Sequence, residues 1–250
     1  MIDLHCHIIP RVDDGAPSAE AACAMAEHAL RSGIDTVVAT PHCNLRGARL
    51  TAAGTDYDRA FGMLRALLRQ HRIPLTVLPG AELFAHRSNL RQLLDGGQLV
   101  TLNHSRYLLA EFRFSESGEE ISALLAAIAR HGLIPVVAHP ERYYGLQRMP
   151  NYLYDWVNRG IVLQVNKGSL FGRFGRGAQA LAGAMLAHGL VGCIASDAHR
   201  PDVRTPDLSA AWDYLAERCS EELARCLLED NPGRILRSEP LPEGRFRPFF

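Results

Sequence analysis

A parallel α/β barrel is the fold class that the sequence predicts, and three observations carry it. Apolar runs alternate with helical segments along the whole chain, and four of those runs follow the same helix-glycine-strand phrase. The third is that strong polar residues stand at the carboxyl ends of the runs. Strands linked by helices form parallel sheets, and about seven of them over a chain of this length fit a closed barrel better than an open sheet.

Ile2-Asp3-Leu4-His5-Cys6-His7 is the first strand. Residues i and i+2 of an extended chain point to one side, so His5 and His7 aim two imidazoles at one point while Cys6 faces away. Ser18 is an N-cap with Glu20 in the first turn, opening an Ala-rich helix from Ala21 to Arg31. The repeated phrase appears at Gly33, Gly132, Gly160 and Gly189, each followed by an apolar run (34–38, 133–137, 161–163, 190–194). A glycine just past a helix takes the left-handed conformation, and the run behind it reads as a buried parallel strand. Further strands fit 75–78 and 107–112, and further helices 56–71, 118–130, 152–158, 176–187 and 207–228, the last broken near Ser220. The whole chain, 1–250, reads as one domain ending in a Pro- and Arg-rich tail from Pro240, whose Phe246, Phe249 and Phe250 can pack on the body or on a partner.

Composition narrows the functional classes. The 27 basic and 27 acidic residues balance without long blocks, which argues against a nucleic-acid groove. No apolar run is long enough to span a bilayer and no basic leader precedes the first strand, so a cytoplasmic protein without membrane insertion is expected. The six cysteines show no zinc-ribbon or redox spacing, which suits reduced thiols. Assembly into a homo-oligomer is left open.

The polar residues fall in phase with the strands. His5 and His7 end the first, with Asp14 in the turn beyond; His42 follows the second, Glu82 the third and Glu111 the fourth. His139 and Arg142 follow the fifth, Asn166 the sixth, and Asp197 and His199 the seventh. Barrels of this kind keep their chemistry at that mouth. Singly, each residue is as well explained by a satisfied core histidine or a surface turn, but in-phase delivery by seven strands is not. His28, His71, His86, His104, His131 and His188 sit on helices or turns and read as structural. Five histidines and four acids exceed the four ligands of one tetrahedral ion and suit two or three ions sharing carboxylates. Imidazole and carboxylate without thiolate leave Mn, Fe, Co and Zn open.

These motifs carry a family resemblance. His5-Cys6-His7, Val12-Asp13-Asp14-Gly15, Pro41-His42, Gly80-Ala81-Glu82, Glu111-Phe112, His139-Pro140-Glu141-Arg142-Tyr143, Gln164 to Leu170 and Ser196-Asp197-Ala198-His199 resemble the PHP superfamily of metal-dependent phosphoesterases. Within it, the chain is similar to the bacterial capsule and exopolysaccharide tyrosine-protein phosphatases of CpsB/CapC type, from Ile2 to about Pro232. The resemblance implies a distorted TIM-like (β/α)7 barrel and three divalent ions, with manganese first. One ion would be held by His5, His7, Glu82 and Asp197, a second by Glu82, Glu111 and His139, and a third by Asp14, His42 and His199. It further implies that Arg142 and Arg204 hold phosphate, and that the substrate is the phosphotyrosine-rich tail of a membrane-bound tyrosine kinase. Ala16 departs from the family, which commonly has proline there, and the resemblance does not extend to the 43–55 loop or the tail after Gly233.

Other readings compete. Cys43 to Arg49 spells Cys-x5-Arg after a strand, the signature of thiolate phosphatases. In a chain this rich in arginine such a match arises readily by chance, and Cys219 to Arg225 makes a second. A small phosphomonoester such as histidinol phosphate is an alternative substrate, and a non-catalytic metal-binding scaffold is a further reading.

Overall fold

The computed structural model describes residues 1–44, 55–96 and 99–250. Nine strand segments among them are β1 (Ile2–Cys6), β2 (Thr36–Ala39), β3 (His42–Cys43), β4 (Thr76–Pro79), β5 (Glu82–Phe84), β6 (Tyr107–Glu111), β7 (Ile134–Ala138), β8 (Val162–Asn166) and β9 (Cys193–Ala195). Every pairing is parallel, in the orders β1-β2-β4 and β3-β5-β6-β7-β8-β9. β2 and β3 are halves of one barrel strand interrupted at Thr40-Pro41, and β4 and β5 are halves of another interrupted at Gly80-Ala81. Nine segments therefore make the seven strands that the sequence predicts. The ring closes between β9 and β1, where the Asp197 N–H donates to the His5 carbonyl (2.9 Å) and the His7 N–H to that of Ala198 (2.8 Å).

The barrel is distorted at one place. β5 pairs with β6 but β4 does not, and the 3₁₀ turn Leu102–His104 lies against β4 and β6 instead. The interruptions have a local cause: Pro41 has no N–H to donate, and a Cβ on Gly80 would stand 2.5 Å from Val38 Cγ1.

The helices are α1 (Ala19–Arg31), α2 (Thr55–Gln70), α3 (Leu90–Asp95), α4 (Gly118–Arg130), α5 (Tyr144–Arg148), α6 (Asn151–Asn158), α7 (Lys167–Leu170), α8 (Arg176–Ala187), α9 (Ser209–Arg218), α10 (Glu221–Arg225) and α11 (Asn231–Leu236), with a π-helical turn at Cys226–Asp230. Ser18 Oγ caps α1 by accepting the Ala21 N–H at 3.2 Å, and Ser220 caps α10 after the predicted break. Gly33, Gly132, Gly160 and Gly189 all take positive φ, between 72° and 83°. The short helices α3, α5 and α7 were not expected, since one or two turns carry too little periodicity to read.

Two apolar layers follow from the period of two, except in β1, where a register irregularity between Asp3 and Cys6 puts Leu4 and Cys6 in different layers. Outward-facing Cys6, Val37, Leu108, Val137, Leu163 and Ile194 pack under the helices, whereas inward-facing Leu4, Val38, Leu109, Val136 and Val162 fill the lower barrel. In the tail, Phe246 and Phe249 pack on the body and the Phe249 ring stacks on His188 (centroids 4.5 Å apart), while Phe250 is exposed. Among the described residues, no helix is long and apolar enough to cross a membrane.

Candidate metal centre

All nine histidines and acids singled out at the strand ends meet at the carboxyl mouth. His5 Nε2 and His7 Nε2 are 3.2 Å apart, and each lies 3.3 Å from Glu82 Oε2. Asp197 Oδ1 stands 3.5 and 3.6 Å from the same two nitrogens. His139 Nε2 is 3.1 Å from Glu82 Oε1 and 3.7 Å from Glu111 Oε1. His42 faces both ways, its Nδ1 3.0 Å from Glu82 and 3.7 Å from Glu111, its Nε2 3.5 Å from Asp14. His199 Nε2 lies 3.3 Å from Asp14, whose side chain is the only solvent-open member at 64% exposure. Ligand atoms come within reach of a shared ion in three sets: His5, His7 and Glu82; His42, Glu82 and Glu111; and His7, Asp14, His42 and His199.

Two residues that the sequence reading left unassigned orient this cluster. His7 Nδ1 is 2.7 Å from Asp13 Oδ2, and His5 Nδ1 is 2.9 Å from Gln164 Oε1. Both partners are acceptors, so the ring protons sit on Nδ1 and both Nε2 atoms present lone pairs. Two such atoms 3.2 Å apart, with Glu82 Oε2 beside them, call for positive charge between them, a proton or a metal ion, and the raised His5 and His7 pKa values express that demand. The buried His42 Nδ1 and Glu82 Oε2 likewise find no aligned hydrogen-bond partner despite their short approach. The donor set therefore fits divalent ions, and the hard oxygen and imidazole mixture fits manganese, iron, cobalt or zinc. Asp13 also accepts the His42 and Gly15 N–H groups, and Gly15 is obligatory because a Cβ there would stand 2.2 Å from the His7 carbonyl oxygen. Gln164 was legible in hindsight: it is a polar residue inside the apolar run 161–165, two positions before Asn166 on the same face.

The electrostatics are those of charge kept out of water. Burial, reinforced by Glu82, pushes the Glu111 carboxyl up to about 8. Burial also penalises an ionised Asp197, but His5 and Arg204 outweigh it and hold the carboxyl at about 2. For His5, burial works against the imidazolium, yet the Glu82 charge wins and raises its pKa. His139, where burial wins, falls to about 4.

Arg142 and Arg204 both stand at the mouth, beside the cluster. Both guanidiniums reach Asp197 Oδ2, at 3.4 and 2.5 Å, and Asn166 Nδ2 donates to the same oxygen at 2.6 Å. Arg142 lies over the rings of Phe114 (4.6 Å) and Phe174 (4.3 Å). Arg142 and Arg204, with Phe84, Phe112, Arg113 and Phe114, line a cavity of about 290 Å3 over the cluster. Cys43 is buried and its thiol is pushed up to about 12 by burial, which removes the thiolate that the Cys-x5-Arg reading requires; Arg49 lies outside the described residues. Cys6 packs in the outer apolar layer, away from the cluster, as its place between two inward histidines implied.

Fold and mouth together define a class, the parallel-barrel enzymes with a histidine and carboxylate centre at the carboxyl ends of their strands. More narrowly, the chain belongs to the CpsB/CapC family of capsular polysaccharide synthesis, whose model matches residues 1–237. It is 35% identical over 241 residues to the tyrosine-protein phosphatase YwqE of Bacillus subtilis, covering 96% of this chain and 93% of that protein. It is 31% identical over 244 residues to the tyrosine-protein phosphatase CpsB of Streptococcus pneumoniae, covering 96% and 99%. A crystal structure from work on YwqE and CpsB, described as unique metal-dependent tyrosine phosphatases, superposes with a TM-score of 0.91 at 34% identity over the full length of both chains. Dihydropyrimidinase from Brevibacillus agri shares the fold alone, at a TM-score of 0.59 and 10% identity, covering 98% of this chain and 73% of that one.

Proposed function

We propose the following division of labour for this chain, a tyrosine-protein phosphatase of the CpsB/CapC family. His5, His7, Glu82 and Asp197 hold one divalent ion, Glu82, Glu111 and His139 a second, and Asp14, His42 and His199 a third, with manganese as the first candidate. Bound there, such ions lower the pKa of water toward neutrality and screen the phosphate charge. Asp13 and Gln164 keep the His7 and His5 lone pairs aimed at the centre. Arg142 and Arg204 take the phosphate oxygens, for which a planar guanidinium fork is suited. The Phe114 and Phe174 rings fix the plane of Arg142, and the Phe84, Phe112 and Phe114 walls suit an aryl ester. The tyrosine leaving group, a phenol of pKa about 10, departs without a strong general acid. The substrate is a phosphotyrosine protein, the tail of a membrane-bound tyrosine kinase that controls capsule or exopolysaccharide synthesis, and the enzyme meets it from the cytoplasm as one domain.

The observation that supports this most directly is the pair of guanidiniums on Asp197 beside a lone-pair cluster that calls for positive charge. The test is hydrolysis of a phosphotyrosine peptide by metal-stripped enzyme with manganese added or withheld. Activity should return with the metal, and Arg142→Ala should then lower kcat/KM about 100-fold. Activity that ignores chelation but is lost on thiol alkylation would overturn the reading.

A further inference from the structure

A second cavity, of about 320 Å3, lies beside the catalytic one and shares Arg204 with it. Its walls come from the turn after β8, with Lys167, Phe171, Arg173 and Phe174, and from the segment before α9. Gly168 lets this wall close, since a Cβ there would stand 2.8 Å from the Phe174 ring and 3.4 Å from Arg173 Cδ. Phe174 lines the second cavity, and its ring lies against two arginines of the catalytic one, Arg142 at 4.3 Å and Arg204 at 5.8 Å.

The charge that this cavity offers is positive on balance, with Lys167, Arg173 and Arg204 against the one carboxylate of Asp207. Lys167 donates its protons to the Thr205 carbonyl (2.6 Å) and to that of Asp207, so it holds the segment carrying Arg204 in place. Asp207 Oδ1 accepts the Ser209 N–H (2.8 Å) and O–H (2.6 Å), and its Oδ2 faces His28 at 3.6 Å, which turns part of that negative charge away from Arg173. Arg173 is exposed and has no carboxylate partner among the described residues. What remains on offer is the Arg173 guanidinium, in a cavity that Phe171 and Phe174 also line and that meets the phosphate site at Arg204.

We infer that this second cavity is a subsite for an acidic side chain of the substrate lying within two residues of the phosphotyrosine. The inference rests on the phosphatase reading above. In an extended peptide, neighbours two residues apart are about 7 Å from one another, a span that adjoining cavities can accommodate. A carboxylate placed there meets the free Arg173 fork, while its stem lies against Phe171 and Phe174.

The test is kcat/KM for matched phosphotyrosine peptides carrying Glu, Ala or Lys at each position within two residues of the phosphotyrosine, with p-nitrophenyl phosphate alongside. The native enzyme should prefer Glu over Ala by about fivefold at one of these positions, the size of an exposed ion pair. Arg173→Ala should bring that ratio to about one, and Arg173→Glu should turn the preference toward Lys. An unchanged ratio in all three proteins overturns the subsite, as does a variant that loses p-nitrophenyl phosphate and every peptide in equal measure. Failure to hydrolyse any phosphotyrosine peptide while p-nitrophenyl phosphate is turned over would instead remove the phosphatase reading, and the subsite with it.

Discussion

Leu109 and Glu111 sit on one strand, two residues apart and on the same inward face, and both are buried. The leucine belongs to a lower layer with Leu4, Val38 and Val136, where burial of apolar surface stabilises the barrel. The glutamate belongs to an upper layer where burial works against ionised groups and shifts Glu111 and His139 by several pH units. One half of the interior thus supplies stability and the other holds charges that metal-free protein accommodates poorly. The difference teaches that substitutions in the two halves should separate activity from stability.

The largest expected effect is at the centre. Glu82→Gln, which alters the carboxylate nearest four histidines, should lower metal-dependent turnover by about 10³-fold, the equivalent of about 4 kcal/mol of charge stabilisation. Residual activity near that of the native enzyme would break the comparison at its upper end. Leu109→Ala should do the reverse, costing about 2–5 kcal/mol in denaturant unfolding while each folded molecule keeps its turnover. Asp13→Asn touches neither substrate nor the predicted ligand set, yet it should weaken manganese binding or activity about 10- to 100-fold by freeing the His7 ring, read by metal titration. A variant that binds manganese as the native protein does would show that Asp13 only braces the loop.

The smallest effect sharpens the contrast by pH. The Glu111 carboxyl is raised from its ordinary 4.5 to about 8, so between these values the folded metal-free protein holds a proton that the unfolded chain has released. Its contribution to stability therefore falls as pH rises through that window. Glu111→Gln removes this loss. In metal-stripped samples the stability difference should move in favour of the variant from pH 5 to pH 8, checked by urea midpoints, and a constant difference would contradict the burial account.

Much of this was legible in the chain because it is written locally. The left-handed glycine after each of four helices marked where strands begin, and all four adopt positive φ. The period of two then sorted His5 and His7 inward and Cys6 outward. It could not show that strands two and three resume beyond Thr40-Pro41 and Gly80-Ala81, since the apolar runs stop at 38 and 78 and the resumed segments are only two and three residues long. The sequence reading singled out Asp14 but gave its neighbour Asp13 no role. Adjacent in a turn, one points to His7 and is nearly dry, and the other reaches His42 and His199 at the solvent edge.

By itself, the sequence determined the order of strands and helices and the kind of residue at each strand end, because those depend on spacing along a few residues of backbone. Which atoms meet was decided only by the tertiary structure. His5 takes its orientation from Gln164, 159 residues away, Asp197 gathers Arg142, Arg204 and Asn166 on one oxygen, and the Phe174 ring lies against Arg142. Such pairings depend on ring closure, which brings strand ends together across the barrel whatever their separation in the chain.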